Sequence, residues 1–253
     1  MSKRTISAEE YEQKMADHLA RRVYLEKKTF IGEDFSQKNI SAFIANNCKF
    51  IDCWFSSTRI EQAYFGSGVK ETLYRNCTFD GVKIKSLFNG LARFEQCSFR
   101  NVRITGWSLQ HCDLVDCVFT GEMKSGRTGG SFWGAPIPVK HSGIKKSVNE
   151  VKGNDFSACK LVGMDFRRGI DLRLQKLPEA ADYLYVEDGR LAVKRAQREV
   201  SKWKDEESRR LGNIVLDLEL KKIDDGQEQI FMCIGSGAFV SIWPSLREAF
   251  LSK

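Results

Sequence analysis

Three kinds of residue in this chain could do chemistry, and each has a competing structural use. His111 beside Cys112 has the composition of an imidazole–thiol pair, in which the ring would take the proton and leave a nucleophilic sulfur. On an extended segment, however, adjacent side chains point to opposite faces, so neighbours of this kind cannot share a proton. Cys48 and Cys53, like Cys112 and Cys117, are separated by four residues. Zinc sites use short thiolate spacings but add further ligands to them, and three histidines leave few. A disulfide framework belongs to an oxidising compartment, whereas the opening MSKRTISAEEYEQK has no apolar core of a secretory signal. The glycine clusters SGRTGG at 125–130 and GSGAFV at 235–240 lack the GK[ST] ending and the following helix signature of phosphate-binding loops. Arg167 and Arg168 could grip a carboxylate or phosphate, or lie solvated on the surface. The expectation is a protein that is not an enzyme, with no catalytic, metal or cofactor site.

The cysteines belong to a longer pattern. A large apolar residue returns at every fifth position: Phe30, Phe35, Ile40, then Phe50, Phe55, Ile60, Phe65. After a slip in phase it resumes at Phe79, Ile84, Phe94, Phe99, Ile104, Leu109, Leu114 and Phe119, and after a longer break at Phe156, Leu161 and Phe166. Ala45 and Asn89 are the weak members. The slots two residues earlier are mostly small, and Cys48, Cys53, Cys77, Cys97, Cys112, Cys117 and Cys159 all fall there. Period five is neither the 3.6 of a helix nor the 2 of a strand. It fits a chain that turns a corner every five residues, with four sides making a coil of about twenty residues. Each side would then send one large and one small side chain to a shared interior, and cysteine is compact and readily buried. Such coils would stack ~4.8 Å apart, and about five of them give a solenoid on the order of 25 Å long.

The stretches CKFID, CWFSS, TRIEQ, CTFDG, VKIKS, CSFRN, VRITG, CDLVD, CVFTG and CKLVG resemble the pentapeptide-repeat family. The resemblance implies a mainly β fold, a right-handed, four-sided parallel β-helix, over roughly 28–120 and 154–170, with neighbouring coils burying each other's apolar rows. The chain favours Phe over Leu at the centre and Cys over Ala at the small slot, which suits a reduced, well-packed interior. Some members of the family resemble duplex DNA in shape and charge and protect gyrase from quinolones. That role needs an acidic rod, whereas the repeat here carries a charge of +2 up to residue 120. The family is most abundant in bacteria, so a bacterial, cytoplasmic protein is expected.

No stretch approaches the ~18 apolar residues of a membrane span, and a membrane role is not expected. Of the net charge of +7, residues 121–153 contribute +4. This segment interrupts the repeat and reads as an insertion. Its Arg127, Phe132, Trp133, Lys140, Lys145 and Lys146, with Trp54 on the repeat, are the candidate contacts to an unknown protein partner. Aromatics beside basic residues can also bind nucleic acid, which makes nucleic-acid contact through 121–153 an alternative, beside topoisomerase modulation. The scaffold reading, protein–protein interaction without catalysis, is the primary expectation.

The ends need covers, because open sheet edges invite association. Residues 1–27 read as an N-terminal capping helix over about 7–27, with Ser7 and Glu10 at capping-box spacing and a stripe of Met15, Leu19 and Val23. Residues 28–176 hold the β-helix. Residues 177–253 read as a small α+β module that caps the far end, forms a homodimer or stands as an independent domain. Within it the spacing predicts a strand at Tyr183–Val186, a turn at Glu187–Gly189, a helix ending near Gly212, a strand over NIVLDLELKKI, a hairpin turn at Asp225-Gly226 and a short final helix after Pro244.

Overall fold

The corners of the coil lie two residues beyond each large residue, and there the backbone enters the left-handed region. Asn47, Asp52, Ser57, Asn76, Gln96, Asn101 and Asp116 have φ between 51° and 57°, and Gly32, Gly81, Gly121, Gly153 and Gly163 occupy equivalent corners. Asn, Asp and Gly tolerate this conformation best, so the turn chemistry repeats with the apolar period. At Gly121 the need is also steric, since an added Cβ would lie 2.4 Å from the Val102 carbonyl oxygen.

The computed structural model describes residues 8–88, 90–108, 110–126, 130–137, 143–234 and 239–252. Among them the chain forms a parallel β-solenoid of about five coils, four helices and a small C-terminal α+β region. One side is a seven-stranded parallel sheet that starts with Arg22–Glu26, Asn39–Asn46 and Arg59–Tyr64 and ends at Asp155–Val162. Another is a six-stranded parallel sheet running from Thr29–Ile31 through Lys49–Ile51, Thr72–Arg75, Leu91–Glu95 and His111–Val115 to Val151–Lys152.

Inside, aromatic rings stack from coil to coil. Phe35, Phe55, Phe79, Phe99, Phe119 and Phe156 form one column, with successive ring centroids 4.9, 4.7, 4.7, 4.8 and 4.6 Å apart. Phe30, Phe50, Tyr74 and Phe94 form a second column. Ile40, Ile60, Ile84, Ile104, Leu114, Leu161, Phe65 and Phe166 are buried around them. Phe30 and Phe35, in the first coil, are only partly buried, and Leu109 lies outside the described residues. The seven cysteines in the small slots are all buried. The thiols of Cys77, Cys97 and Cys117 donate to the carbonyls of Phe50, Tyr74 and Phe94 one coil away. Tyr74 was hidden from the five-residue register because residues 66–73 lengthen that coil. It takes the central place, with its hydroxyl donating to the Phe65 carbonyl at 2.9 Å.

Helix α1 spans Ala8–Ala20 and is shorter than its apolar stripe predicts. Val23 leaves the helix, because Arg22–Glu26 pairs in parallel with Asn39–Asn46 and turns Val23 and Leu25 toward the core. Met15 and Leu19 stay 42% and 56% exposed. Ser7 lies outside the described residues.

The segment 121–153 differs from an external loop. Val118–Lys124 continues the first sheet, Ser131–Trp133 pairs in parallel with Asp165–Arg167, and Val151–Lys152 extends the second sheet. In the C-terminal region the strand Tyr183–Val186 pairs antiparallel with Ile230–Cys233. Helix α2 covers Gly189–Val200, entered from the stretch expected to turn at Glu187–Gly189, with Asp188 accepting from the Leu191 amide as its N-cap. The expected strand over 213–223 is instead part of helix α3, Glu206–Asp224. Its alternating leucines mask a helical burial of Gly212, Leu216, Glu219 and Ile223, and Asp205 caps it by accepting from the Ser208 amide at 2.7 Å. Gly212 does not end a helix. It lies inside α3, where a Cβ would come within 2.9 Å of Val200 Cγ1 and 3.0 Å of Trp203. Gly226, at φ +98°, terminates α3 rather than turning a hairpin. Helix α4 runs from Phe239 to Leu251, with Pro244 inside it. No helix among the described residues is long and apolar enough to cross a membrane.

The last coil's backbone groups meet side chains from this region. Gln227 Oε1 accepts from the amides of Gly169 and Ile170, and its Nε2 donates to the Ile170 carbonyl. Gln229 Oε1 accepts from Leu172 N at 2.6 Å, and Tyr183 Oη accepts from Leu161 N at 3.1 Å. Phe231 packs edge-on against Phe166 at 5.5 Å. Hydrogen bonds and apolar contact therefore act together where the last coil would otherwise leave donors unpaired.

Candidate protein-contact face

Among the described residues, those singled out by sequence as contacts do not form one surface. Phe132 and Trp133 are not exposed contacts. Phe132 stacks on Phe166 at 4.9 Å inside the coil, and Trp133 is buried beside it. Their strand supplies a side of the solenoid, so stacking on a partner is not open to Phe132. Lys146 is not a free cation either. Its Nζ lies 2.7 Å from Asp113 and 3.2 Å from Glu71, which folds residues 143–150 back over the second sheet. Lys145 is exposed, Arg127 and Lys140 lie outside the described residues, and Trp54 stands 46% exposed on an outer face between Asp34 and Thr78.

The folded-back segment closes over a polar network. Arg93 bonds to Glu95, to Asp113 at 2.8 Å and to Glu150 at 2.8 Å. Burial works against its charge, but the three carboxylates hold it protonated more firmly than usual. His111, on the outer face of its strand, is buried beneath this cover, while Cys112 points from the opposite face into the core. Burial, aided by Lys146, lowers the His111 pKa, and burial raises that of Cys112 well above the ordinary thiol range. A neutral ring and a protonated thiol on opposite faces make no nucleophile. Among the described residues no group of three His, Cys, Asp or Glu side chains could hold a metal ion.

Sequence reasoning missed the outer face of the first sheet. Parallel register places Tyr24 beside Ile44 and Ile44 beside Tyr64. Tyr64 in turn stacks on Phe88, centroids 4.5 Å apart and planes 7° from parallel. These four residues precede the fourth-side positions by one, where other sides carry polar residues such as Lys49, Arg59 and Arg93. Apolar residues at that slot in four consecutive coils were the available signal. Tyr24 and Phe88 are 55% and 37% exposed, while Ile44 and Tyr64 are half-buried. A cleft of about 420 Å³ runs alongside, with Leu19, Arg22, Gln62 and Ser67 on its walls. Arg21 and Glu61, 3.3 Å apart, form an ion pair nearby. An apolar strip with a polar margin is the arrangement of a protein interface: a core that loses water and a rim that stays wet.

No protein-family model matches the chain, and no curated protein matches it. Among solved structures it is similar to a trypsin-treated form of QnrB1, a plasmid-mediated fluoroquinolone resistance protein, at 15% identity and a TM-score of 0.18. That alignment covers 62% of this chain and 84% of the other.

Proposed function

We propose that the chain is a non-enzymatic scaffold of the pentapeptide-repeat type, and that it binds a protein partner through the strip Tyr24–Ile44–Tyr64–Phe88. The strip carries the reading: four rungs of aromatic and aliphatic side chains on the outside of a rigid sheet, against an interior already filled with its own rings. Soluble proteins rarely leave such a contiguous apolar row without a use, and aromatic anchors dominate interface energies. The parallel sheet fixes the rungs, so little ordering cost remains to be met on binding.

The experiment is an affinity capture from the source organism, comparing the parent with Tyr64→Asp and Phe88→Asp. Both substitutions point outward and leave the interior rings in place. The expected result is loss of a specific partner by both variants at an unchanged unfolding midpoint. Recovery of the same partners by parent and variants rejects the strip as the binding surface.

A further inference from the structure

At the far end of the solenoid a second cleft, of about 300 Å³, opens between the last coil and helix α3. That volume is at the lower end of the ~300–1,000 Å³ typical of small-molecule sites. Trp133, Ile137 and Leu218 give it apolar walls, and Arg167, Arg168, Lys221 and Lys222 surround these with cations. Two buried donors on its lining residues, Trp133 Nε1 and Arg168 Nε, have no hydrogen-bond partner. Trp133 is only 9% exposed, and a buried donor left unpaired costs ~1–3 kcal/mol. Both orphans on the lining are donors, so the missing group is an acceptor.

The charges narrow its chemistry. Arg167 is held by Asp165 at 2.7 Å and lies over the Trp133 ring at 5.5 Å. Lys222 is held by Glu219 at 2.7 Å and by Asp165 at 3.4 Å. Arg168 and Lys221 have no such carboxylate partner among the described residues, and Asp225 is the acid on the lining. The surplus is about one positive charge, and the carbonyl end of α3 also opposes a strongly negative ligand. A single negative charge therefore fits better than a polyphosphate. Arg168 adds a backbone observation. It stands at a coil corner with φ +60°, where most other corners carry Asn, Asp or Gly. A bulky side chain at such a position is disfavoured unless something retains it.

We propose that this cleft binds a small organic carboxylate, its oxygens accepting from Trp133 Nε1 and Arg168 Nε and its apolar body resting against Ile137 and Leu218. This is independent of the strip on the first sheet.

The test uses the full chain and follows the Trp133 indole N–H resonance, assigned by its loss in Trp133→Phe, during titration with sodium benzoate. Sodium chloride at equal ionic strength and sodium phosphate are the comparisons. Saturable movement of that resonance by benzoate, with a dissociation constant on the order of 1 mM, is expected. Arg168→Gly, which removes the donor and relaxes the corner, should fold at least as well and weaken benzoate at least ~10-fold. If Trp133→Phe does not fold, the benzoate-induced rise in unfolding midpoint, present in the parent and lost in Arg168→Gly, gives the same answer. An unmoved resonance with no midpoint shift overturns the assignment. So does an equal response to chloride, tighter binding of phosphate than of benzoate, or undiminished benzoate binding by Arg168→Gly.

Discussion

Phe99 lies flat on Phe119, ring centroids 4.8 Å apart and planes 7° from parallel, although twenty residues of chain separate them. The contact is one step in a column that runs from Phe35 to Phe156, and it explains why the period must be kept. A ring displaced by one residue would face solvent, and both neighbours in the column would lose a stacking partner.

Replacing Phe99 by Ala should destabilise the protein by ~3–5 kcal/mol, the usual cost of a buried Phe. Phe35→Ala, in the first coil and only partly buried, should cost less than half as much. Urea unfolding of both variants checks this. Equal losses would mean that the column does not derive its stability from neighbours on both sides.

The thiols provide a direct probe of the interior. Burial pushes Cys159 up to about 12 and Cys233 up to about 11, and the cysteines in the small slots are buried. A thiol reacts as its thiolate. Cys77 differs, because the neighbouring Cys97 thiol lowers its pKa against burial, so its protection rests on the packing that closes it to reagents. The native protein at neutral pH should yield no fast-reacting thiol to a chromogenic disulfide reagent, with Cys233 slow and all eight reacting after denaturation. Rapid labelling of Cys77, Cys97 or Cys117 in the folded state would be incompatible with this interior.

The corners predict an asymmetry between two substitutions at one site. Gln96 has φ +53°. Gln96→Gly removes a left-handed strain of ~1–2 kcal/mol and adds ~0.5–1 kcal/mol of unfolded-state entropy, so it should be neutral to mildly stabilising. Gln96→Val, β-branched in the same conformation, should destabilise by more than ~1 kcal/mol. Comparing the two unfolding midpoints decides the matter; a tolerated valine would show that the corner exerts no conformational demand.

Acid should loosen the end of the last coil. The Arg173 guanidinium beside Asp171, opposed by slight burial and aided by Gln229 and the Arg173 amide, holds this carboxyl down to about 2, against an ordinary value of 3.8. A lowered carboxyl stabilises the fold fully above its ordinary value and loses that effect as pH falls through the folded one. Asp171→Asn should therefore lose stability near neutrality and show a shallower decline between about pH 4 and about pH 2. A parallel decline in parent and variant would show that Asp171 contributes nothing to acid sensitivity.

Much of the solenoid was legible because its signal repeats. Phe50, Phe55 and Ile60 announce one coil, and Cys48 and Cys53 mark the slots beside them. What was hidden depended on distant partners. Tyr74 fell out of register because its coil is longer than its neighbours, and Phe132 looked like a loop aromatic until Phe166 supplied its stacking partner. The run 214–220 alternates like a strand, yet it is helical, with Leu216 buried against α2 and α4 and Leu218 left exposed. Of the two surfaces, the strip required knowing which strands lie side by side. The basic cleft required bringing Trp133 and Arg168 to residues of α3 that follow them by at least 85 and 50 positions respectively.

The two lengthened coils share a geometric address. Extra chain enters between Phe65 and Tyr74, and again between Phe132 and Val151, each time at the passage from the fourth side to the next coil's first. The two additions even touch, through Lys146 and Glu71. This seam admits new sequence while the columns on the remaining sides keep their spacing. It is the place where a foreign segment could be spliced in to give the rod a new specificity without rebuilding it.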